Sequence, residues 1–186
     1  MYIYFKTFID FICGLILFVL FLPLIIIVAI GVKFSSPGPI LFKQDRVGKY
    51  GKLFKVFKFR SMVVNNSNSF TTKDDPRITR FGKFIRRTSL DELPQIFNIL
   101  KGDMSFIGPR PAVPSQIDDY GEYYFNLRHQ VKPGITGLHQ STLRSQGTMR
   151  MKALLDGFYA KKISLCLDII IVFRTFKILL NSKASN

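Results

Sequence analysis

The sequence predicts a helix-rich α+β fold, in which a Pro-kinked, membrane-inserted N-terminal helix precedes a small domain of short strands and interfacial helices. Two observations lead to this fold class. Residues 11–32 are 22 consecutive positions without a charge. The remainder of the chain is basic and alternates short apolar runs with Gly- and Pro-rich turns. We place the boundary after residue 33, which gives a membrane helix at 1–33 and a folded domain at 34–186.

Composition limits the function classes. The 186 residues suffice for one domain with a real core, and 47% hydrophobic content excludes a disordered polyelectrolyte. The 27 Lys and Arg outnumber the 12 Asp and Glu, and the net charge of +15 indicates an anionic partner. Nucleic acid, a lipid surface and a phosphorylated substrate all fit. Cys13 and Cys166 have no metal-ligand spacing, and we expect both to be buried thiols.

The apolar segment 11–32 is long enough to cross a bilayer, since a straight helix of this length measures roughly 33 Å. Pro23 lies at its centre and predicts a kink, because proline removes a backbone donor and clashes with the preceding turn. The helix either crosses bent or returns on the same side. Lys6 and Lys33 flank it on both ends, so the positive-inside rule leaves the two shapes open.

The stretch "GKLFKVFKFRSM", 51–62, is typical of a strand. Alternation places Phe57 and Phe59 on one face and the cations Lys58 and Arg60 on the other. The basic face is either solvated or aimed at a phosphate. The polar residues 65–76 that follow predict a loop that could act as a flap.

Residues 77–100 are expected to be helical. Basic side chains at 77, 80, 83, 86 and 87 recur at spacings that put most of them on one side of a helix. Such a stripe is either a solvated face or a surface for anionic headgroups or substrate.

The stretch "TSLDELPQIFNIL", 88–100, sets two acids side by side in this basic region. Ser89 and Glu92 match a capping box, and Pro94 must lie near a helix start. Asp91 then falls in or beside a first turn, where anions are stabilised. Asp91 and Glu92 are either helix-start acids only, or a pair in which one attacks or binds Mg²⁺ while the other orients it.

Two later segments complete the pattern. Arg110 lies between prolines in "PRP", and this stiff mount for a bidentate cation suits phosphate recognition. The apolar stretch 163–180 is interrupted by charges, so it predicts a helix lying at the membrane interface or packed on the core.

The order of these motifs resembles the small monotopic phosphoglycosyl transferases, a family of bacterial sugar transferases, over nearly the whole chain. The matching motifs are the apolar segment with Pro23, "SPGP" at 36–39, "FKQDRVGKYGKLFKVFKFRSM" at 42–62, "TSLDELPQIFNILKGDMSFIGPRP" at 88–111, "KPGITG" at 132–137 and "LDGFYAKKISLCLDI" at 155–169.

The resemblance implies transfer of a sugar-1-phosphate from a UDP-sugar to polyprenyl (undecaprenyl) phosphate, with release of UMP. This is the first membrane step in making a capsule, exopolysaccharide, O-antigen or glycoprotein glycan. Asp91 would be the nucleophile that forms a phosphosugar intermediate, with Mg²⁺ at Asp91 and the diphosphate. Glu92 would be the second catalytic residue, orienting Asp91 or taking a proton from the acceptor. The implied substrate-binding residues are Lys58, Arg60, Arg86, Arg110, Pro111, Arg144 and Asp156.

The resemblance also implies a location and partners. The apolar helix would be re-entrant, and the catalytic domain would lie on the cytoplasmic face of the bacterial inner membrane. The expected partners are the UDP-sugar, the polyprenyl phosphate and membrane lipids, but not nucleic acid, and a homo-oligomer stays open. Leu22 replaces the Ser that usually precedes the central proline. "LHQSTLR" at 138–144 replaces the usual "WAQVNGR", keeping Gln140 and Arg144, so the sugar is not carried over.

Two other functions fit parts of the sequence. A membrane-tethered basic module that binds nucleic acid or anionic lipid would explain the charge, but gives no reason for Asp91, Glu92 or Arg110. A hydrolase of lipid-linked phosphates would use the same groups without a nucleotide donor.

Overall fold

A computed structural model describes residues 2–63, 75–143 and 147–180. The predicted loop at 65–76 therefore lies almost wholly outside the described residues, as does Arg144. The helices are α1 (Tyr2–Ser35), α2 (Arg80–Arg87), α3 (Gln95–Leu100), α4 (Ile117–Tyr120), α5 (Glu122–Arg128), α6 (Leu138–Leu143), α7 (Met149–Lys162) and α8 (Leu165–Leu180). The strands are β1 (Leu41–Val47), β2 (Leu53–Phe59), β3 (Ser105–Ile107) and β4 (Gly134–Thr136).

The strands form small separate sheets. β1 and β2 pair antiparallel, with Leu41 opposite Phe59 and Val47 opposite Leu53. β3 and β4 pair in parallel. Short sheets surrounded by many helices confirm the helix-rich α+β class in its coarse form.

Helix α1 is long and apolar enough to cross a membrane, and within the described part of the chain it alone passes that test. It is assigned as one helix through Pro23. Most of its large apolar side chains are exposed, among them Phe8, Ile16, Leu20 and Ile27. Such a surface requires lipid or another apolar environment, because its exposure to water would be unfavourable.

The N-terminal part of α1 is held to the folded domain by a buried polar cluster. The Lys6 ammonium lies 2.8 Å from a carboxylate oxygen of Asp168 on α8. The hydroxyls of Tyr2 and Tyr159 donate to the same carboxylate at 2.6 and 2.7 Å. Asp10 accepts a hydrogen bond from the backbone of Phe106 in β3. Buried charges paired in this way fix the beginning of α1 against β3 and α8.

The C-terminal end of α1 contacts the same domain. Val28 and Val32 pack with Phe59 of β2 and Ile85 of α2 in one buried cluster. The Arg60 guanidinium, which follows β2, donates to the carbonyls of Val32, Ser36 and Pro37 at 3.1, 2.5 and 3.1 Å. These carbonyls lie at and just beyond the helix end, where carbonyls lack their usual backbone donors. Both ends of α1 therefore rest on one folded domain.

Helix α8 presents an apolar face. Leu165, Ile169, Phe173 and Phe176 are exposed and recur at spacings of three and four residues. On the opposite side, Ile171 is buried in the cluster that contains Ile107, Leu138 and Tyr159. The helix predicted at 163–180 is thus present, packed on the core along one face and apolar on the other.

Residues 77–100, expected to be helical, form two short helices with a break between α2 and α3, and residues 77–79 are not helical. Ser89 adopts a left-handed conformation with φ of 57°, and residues 90–92 form a separate 3-10 turn. Pro94 immediately precedes α3, as its missing backbone donor requires. Cys166, expected to be a buried thiol, is exposed.

Candidate active site

Strand β2 and the turn at 90–92 are fixed to each other by a buried asparagine. Asn98 of α3 has no exposed surface. Its side chain accepts from the backbone of Phe57 at 3.0 Å and donates to the carbonyl of Lys55 at 2.8 Å. A buried amide with its partners satisfied holds β2 in register against α3. Lys58 on β2 is thereby placed opposite the acids that precede α3.

Glu92 lies between two cations. The Lys58 ammonium is 2.5 Å from Glu92 Oε1, and Arg110 Nη2 is 3.8 Å from the same oxygen. Burial is the largest influence on the pKa of Glu92 and raises it. The charges of Lys58 and Arg110, with hydrogen bonds from Lys58 and Gln95, outweigh burial and lower the pKa below its ordinary value. Glu92 is thus an ionised carboxylate already engaged by its neighbours.

Asp91 has the opposite electrostatic balance. Burial raises the pKa of Asp91, and the adjacent Glu92 charge adds to this, while Lys58 and Arg86 oppose it. The net direction is upward. A carboxylate with a raised pKa is more basic, and Asp91 forms no salt bridge within the described part of the chain. These properties suit a nucleophile better than a structural acid.

The local backbone presents Asp91 differently from the predicted capping box. The Ser89 side chain makes no cap hydrogen bond, so the expected box with Glu92 is absent. The left-handed φ of Ser89 is uncommon for a residue with a Cβ and turns the chain sharply before Asp91. Because a 3-10 helix has three residues per turn, the successive side chains of Asp91 and Glu92 leave this turn about 120° apart.

Arg86 reaches this region from α2. Its Nε donates to the Ser61 hydroxyl at 2.7 Å. The same segment contacts α2 closely, because a Cβ placed on Gly82 would lie 1.9 Å from the Ser61 carbonyl oxygen. Only glycine permits this approach, and it brings Arg86 near enough to lower the pKa of Asp91.

Arg110 and Pro111 lie at one cleft with Lys58 and Glu92. The residues that line the cleft are Arg46, Val56, Lys58, Glu92, Gln95, Arg110, Pro111, Gly134 and Ile135. The Arg110 side chain is about half exposed, at 52%, so its guanidinium can meet a ligand. The structure thus brings together Lys58, Glu92, Arg110 and Pro111, with Asp91 and Arg86 beside them.

Arg60 and Asp156 lie elsewhere. Arg60 is 4% exposed and faces the carbonyls at the end of α1, although it shares a strand face with Lys58 by sequence. Asp156 is 0% exposed and pairs with Arg128 and His139. Neither side chain has enough exposed surface to contact a substrate in this structure. Arg144 lies outside the described residues.

Arg46 and Gln95 are cleft residues that sequence reasoning missed. Arg46 donates to the Pro111 carbonyl at 3.1 Å and to the side chain of Gln44 at 2.6 Å. Burial lowers the pKa of Arg46, and the nearby Arg110 charge lowers it further. Arg46 lies on β1, within the stretch 42–62 quoted above. Alternation along the strand could have assigned it to the same face as Gln44.

A magnesium ion fits this donor set only if it is shared with a substrate. Among the described residues, no group of three or more His, Cys, Asp or Glu side chains could hold a metal. Glu92 is already paired, which leaves Asp91. Mg²⁺ commonly binds through one or two carboxylates together with substrate phosphates, so one carboxylate beside a diphosphate is a suitable pair of ligands.

Comparison with known proteins identifies the family to which the chain belongs. The family model for bacterial sugar transferases matches residues 1–182. A UDP-N-acetylgalactosamine-undecaprenyl-phosphate N-acetylgalactosaminephosphotransferase of Aeromonas hydrophila is 42% identical over 96% of this chain and 44% of its own length. A UDP-glucose:undecaprenyl-phosphate glucose-1-phosphate transferase of Xanthomonas campestris pv. campestris is 46% identical over 88% of this chain and 36% of its own length.

A third relative is similar to the same extent. The undecaprenyl-phosphate galactose phosphotransferase of Salmonella typhimurium is 40% identical over 94% of this chain and 40% of its own length. The chain therefore spans less than half the length of these curated relatives. With a family model that covers nearly every residue, and with relatives at 40–46% identity, the family expected from the motifs is confirmed: the chain belongs to the bacterial sugar transferases.

Proposed function

We propose that the protein transfers a sugar-1-phosphate from a UDP-sugar to undecaprenyl phosphate, releases UMP and so begins the assembly of a bacterial surface glycan. The names of three relatives describe undecaprenyl-phosphate phosphotransferases with different sugars. Those names support the acceptor and the reaction class. They do not agree on a sugar, so none is assigned.

One observation carries the proposed mechanism. Two adjacent carboxylates have pKa values shifted in opposite directions, because burial outweighs the charges of Lys58 and Arg86 at Asp91, whereas Lys58 and Arg110 outweigh burial at Glu92. Neighbouring carboxylates with separated pKa values are typical of groups with different catalytic roles.

The first chemical step uses Asp91 as nucleophile. A carboxylate oxygen of Asp91 attacks the phosphorus bonded to the sugar and forms an acyl phosphate. The bond from that phosphorus to the bridging oxygen breaks, and UMP leaves with the electron pair. Positioning and charge neutralisation dominate such a displacement. Lys58, Arg110 and Arg86 supply the positive charge, and Arg46 adds to it from the cleft wall.

The second step regenerates Asp91. An oxygen of the undecaprenyl phosphate attacks the same phosphorus, and the bond to Asp91 breaks. Glu92 is ionised, and its lowered pKa makes it a weak base, so its role is to hold the Lys58 and Arg110 cations at the cleft while the acceptor phosphate reacts as its dianion. A covalent intermediate lets a water-soluble donor and a lipid acceptor react in turn. Asp91, together with phosphate oxygens of the substrate, would hold Mg²⁺, which would supply further charge neutralisation.

We also propose that α1 is re-entrant and that the domain lies on the cytoplasmic face of the inner membrane. Lys6 and Asp10 near one end of α1, and Val32 near the other, all contact the same folded domain. A helix that crossed the bilayer would place its ends on opposite sides. Cysteines placed in turn at residues 2 and 35 of a variant lacking Cys13 and Cys166 should both react from the cytoplasmic side. Labelling from opposite sides would contradict the proposal.

A donor screen tests the reaction. The full chain in liposomes containing undecaprenyl phosphate should release UMP from at least one UDP-sugar in a panel, and Asp91→Asn should not. Labelled UMP should also exchange into that UDP-sugar without acceptor, since the first step alone is reversible. Release of free phosphate without a nucleotide would instead favour a hydrolase, and no turnover with any donor would favour a binding module.

A further inference from the structure

The segment that carries Arg110 is held in an unusual way. Because proline has no backbone donor, the Pro109–Arg110–Pro111 run can be fixed mainly through its carbonyls. Four successive carbonyls each accept a hydrogen bond. Pro109 accepts from the backbone of Gly134 at 2.9 Å and Ala112 from that of Val47 at 2.9 Å. Between them, Pro111 accepts from the Arg46 side chain at 3.1 Å and Arg110 from the Arg128 side chain at 2.8 Å.

Arg128 is the most deeply buried of these donors, since its side chain has 0% exposure. Its Nε and Nη2 both donate to Asp156 Oδ2, at 3.1 and 2.7 Å. The same Nη2 donates to the Arg110 carbonyl. The guanidinium also lies over the Tyr120 ring, 4.2 Å from its centroid. This arrangement leaves Arg128 one orientation.

Asp156 is itself oriented. Its second oxygen, Oδ1, lies 2.7 Å from His139 Nδ1. A buried carboxylate must be paired to remain charged, and here both oxygens are engaged. His139, Asp156 and Arg128 therefore form a buried chain of hydrogen bonds that ends on the backbone of Arg110. The Arg110 guanidinium in turn lies beside Glu92.

We infer that Arg128 and Asp156 are positioning residues that fix the Arg110 guanidinium at the diphosphate site through its backbone carbonyl. Neither touches substrate. Asp156 holds Arg128, Arg128 holds the Arg110 carbonyl, and the flanking prolines transmit that placement to the side chain. The identity of the substrate, a nucleoside diphosphate-sugar, rests on the proposed function. The positioning roles of Arg128 and Asp156 rest on the hydrogen-bond geometry alone.

Arg128→Lys separates positioning from folding. A lysine ammonium can still pair with Asp156, but it lies one atom closer to the backbone than Nη2, the nitrogen that reaches the Arg110 carbonyl, and it loses the second bond that Nε makes to Asp156. We expect kcat/KM for the UDP-sugar to fall about tenfold, since small misplacements of a binding group have large effects. Arg150→Lys, the same substitution at an exposed position of α7, should change nothing.

A double-mutant cycle gives the readout that a merely structural role would not move. If Arg128 acts through Arg110, Arg128→Lys should lower kcat/KM less than about twofold in an Arg110→Ala background. The Asp156→Asn variant, which keeps the size of the side chain, should show the same dependence and serves if Arg128→Lys does not fold. Equal effects in both backgrounds, or no effect in the wild-type background, would overturn the inference.

The affinity for UDP, measured by calorimetry in the presence of Mg²⁺, tests the positioning role without requiring turnover, and so separates it from the proposed function. Arg128→Lys should lower UDP affinity in the wild-type background and have little effect in the Arg110→Ala background. If affinity does so while no UDP-sugar yields UMP, the proposed function fails and the positioning role stands. If UMP is released but neither kcat/KM nor affinity depends on Arg110 in the way described, the positioning role fails alone.

Discussion

Removal of the Lys58 ammonium should weaken catalysis and move its pH dependence. In Lys58→Met, Glu92 loses the partner at 2.5 Å and keeps Arg110 at 3.8 Å and the hydrogen bond from Gln95. A hydrogen bond between charged groups contributes roughly 1.5–3 kcal/mol, which corresponds to about one to two orders of magnitude in kcat/KM. The side chains are 23% and 24% exposed, so solvent screens the pair only in part.

The sign of the pH effect follows from the same charge. Lys58 lowers the pKa of both Asp91 and Glu92, so its loss raises both values. Both carboxylates then become protonated at a higher pH. The acid limb of kcat/KM for UMP release should therefore move to higher pH in Lys58→Met than in the wild type.

Lys55→Met is the matched control. Lys55 lies on the same strand and pairs with Asp45 at 3.7 Å, but both side chains are mostly exposed. Exposed pairs contribute little, so this variant should retain wild-type rates and pH dependence. An acid limb that stays in place in Lys58→Met, or a loss of rate equal to that of Lys55→Met, would refute the assigned role of Lys58.

Two further predictions concern stability, measured by thermal unfolding of the full chain in nanodiscs. Arg60→Gln removes buried charged donors from the carbonyls at the end of α1 and should destabilise the protein by about 3 kcal/mol, unlike exposed Arg87→Gln. Equal unfolding midpoints would contradict this. Burial and the Arg128 charge lower the pKa of His129 from 6.5 to about 4. Below pH 6.5 the histidine is protonated in the unfolded chain before it is protonated in the folded one. The free energy of unfolding therefore falls by up to about 3 kcal/mol as pH falls toward 4. His129→Asn keeps a donor for the Phe125 carbonyl and should flatten this dependence; an unchanged slope would exclude His129 as its source.

Several features could be predicted from sequence because they depend on local chemistry. The alternation in "KLFKVFKF" predicts β2, and the missing donor of Pro94 predicts that α3 starts nearby. The unbroken apolar run predicts α1. The resemblance to sugar transferases supplied Asp91, Glu92 and Arg110 together, and the structure places Glu92 and Arg110 at one cleft with Asp91 adjacent.

Other features depend on what packs against a residue, and no local pattern contains that information. Alternation puts Arg60 and Lys58 on one strand face, but the end of α1 covers Arg60 while the turn at 90–92 meets Lys58. Asp156 pairs with Arg128, which lies 28 positions earlier in the sequence. The capping box at Ser89 fails because Ser89 adopts a left-handed conformation in which its side chain makes no cap hydrogen bond.

Mass spectrometry of the trapped intermediate tests the proposed chemistry most directly. The full chain should be incubated with Mg²⁺ and an active UDP-sugar in the absence of undecaprenyl phosphate, quenched and digested. The account predicts a sugar-phosphate adduct on the peptide containing Asp91, absent from Asp91→Asn and removed when the acceptor is added. An adduct on another residue, or turnover without any adduct, would contradict it.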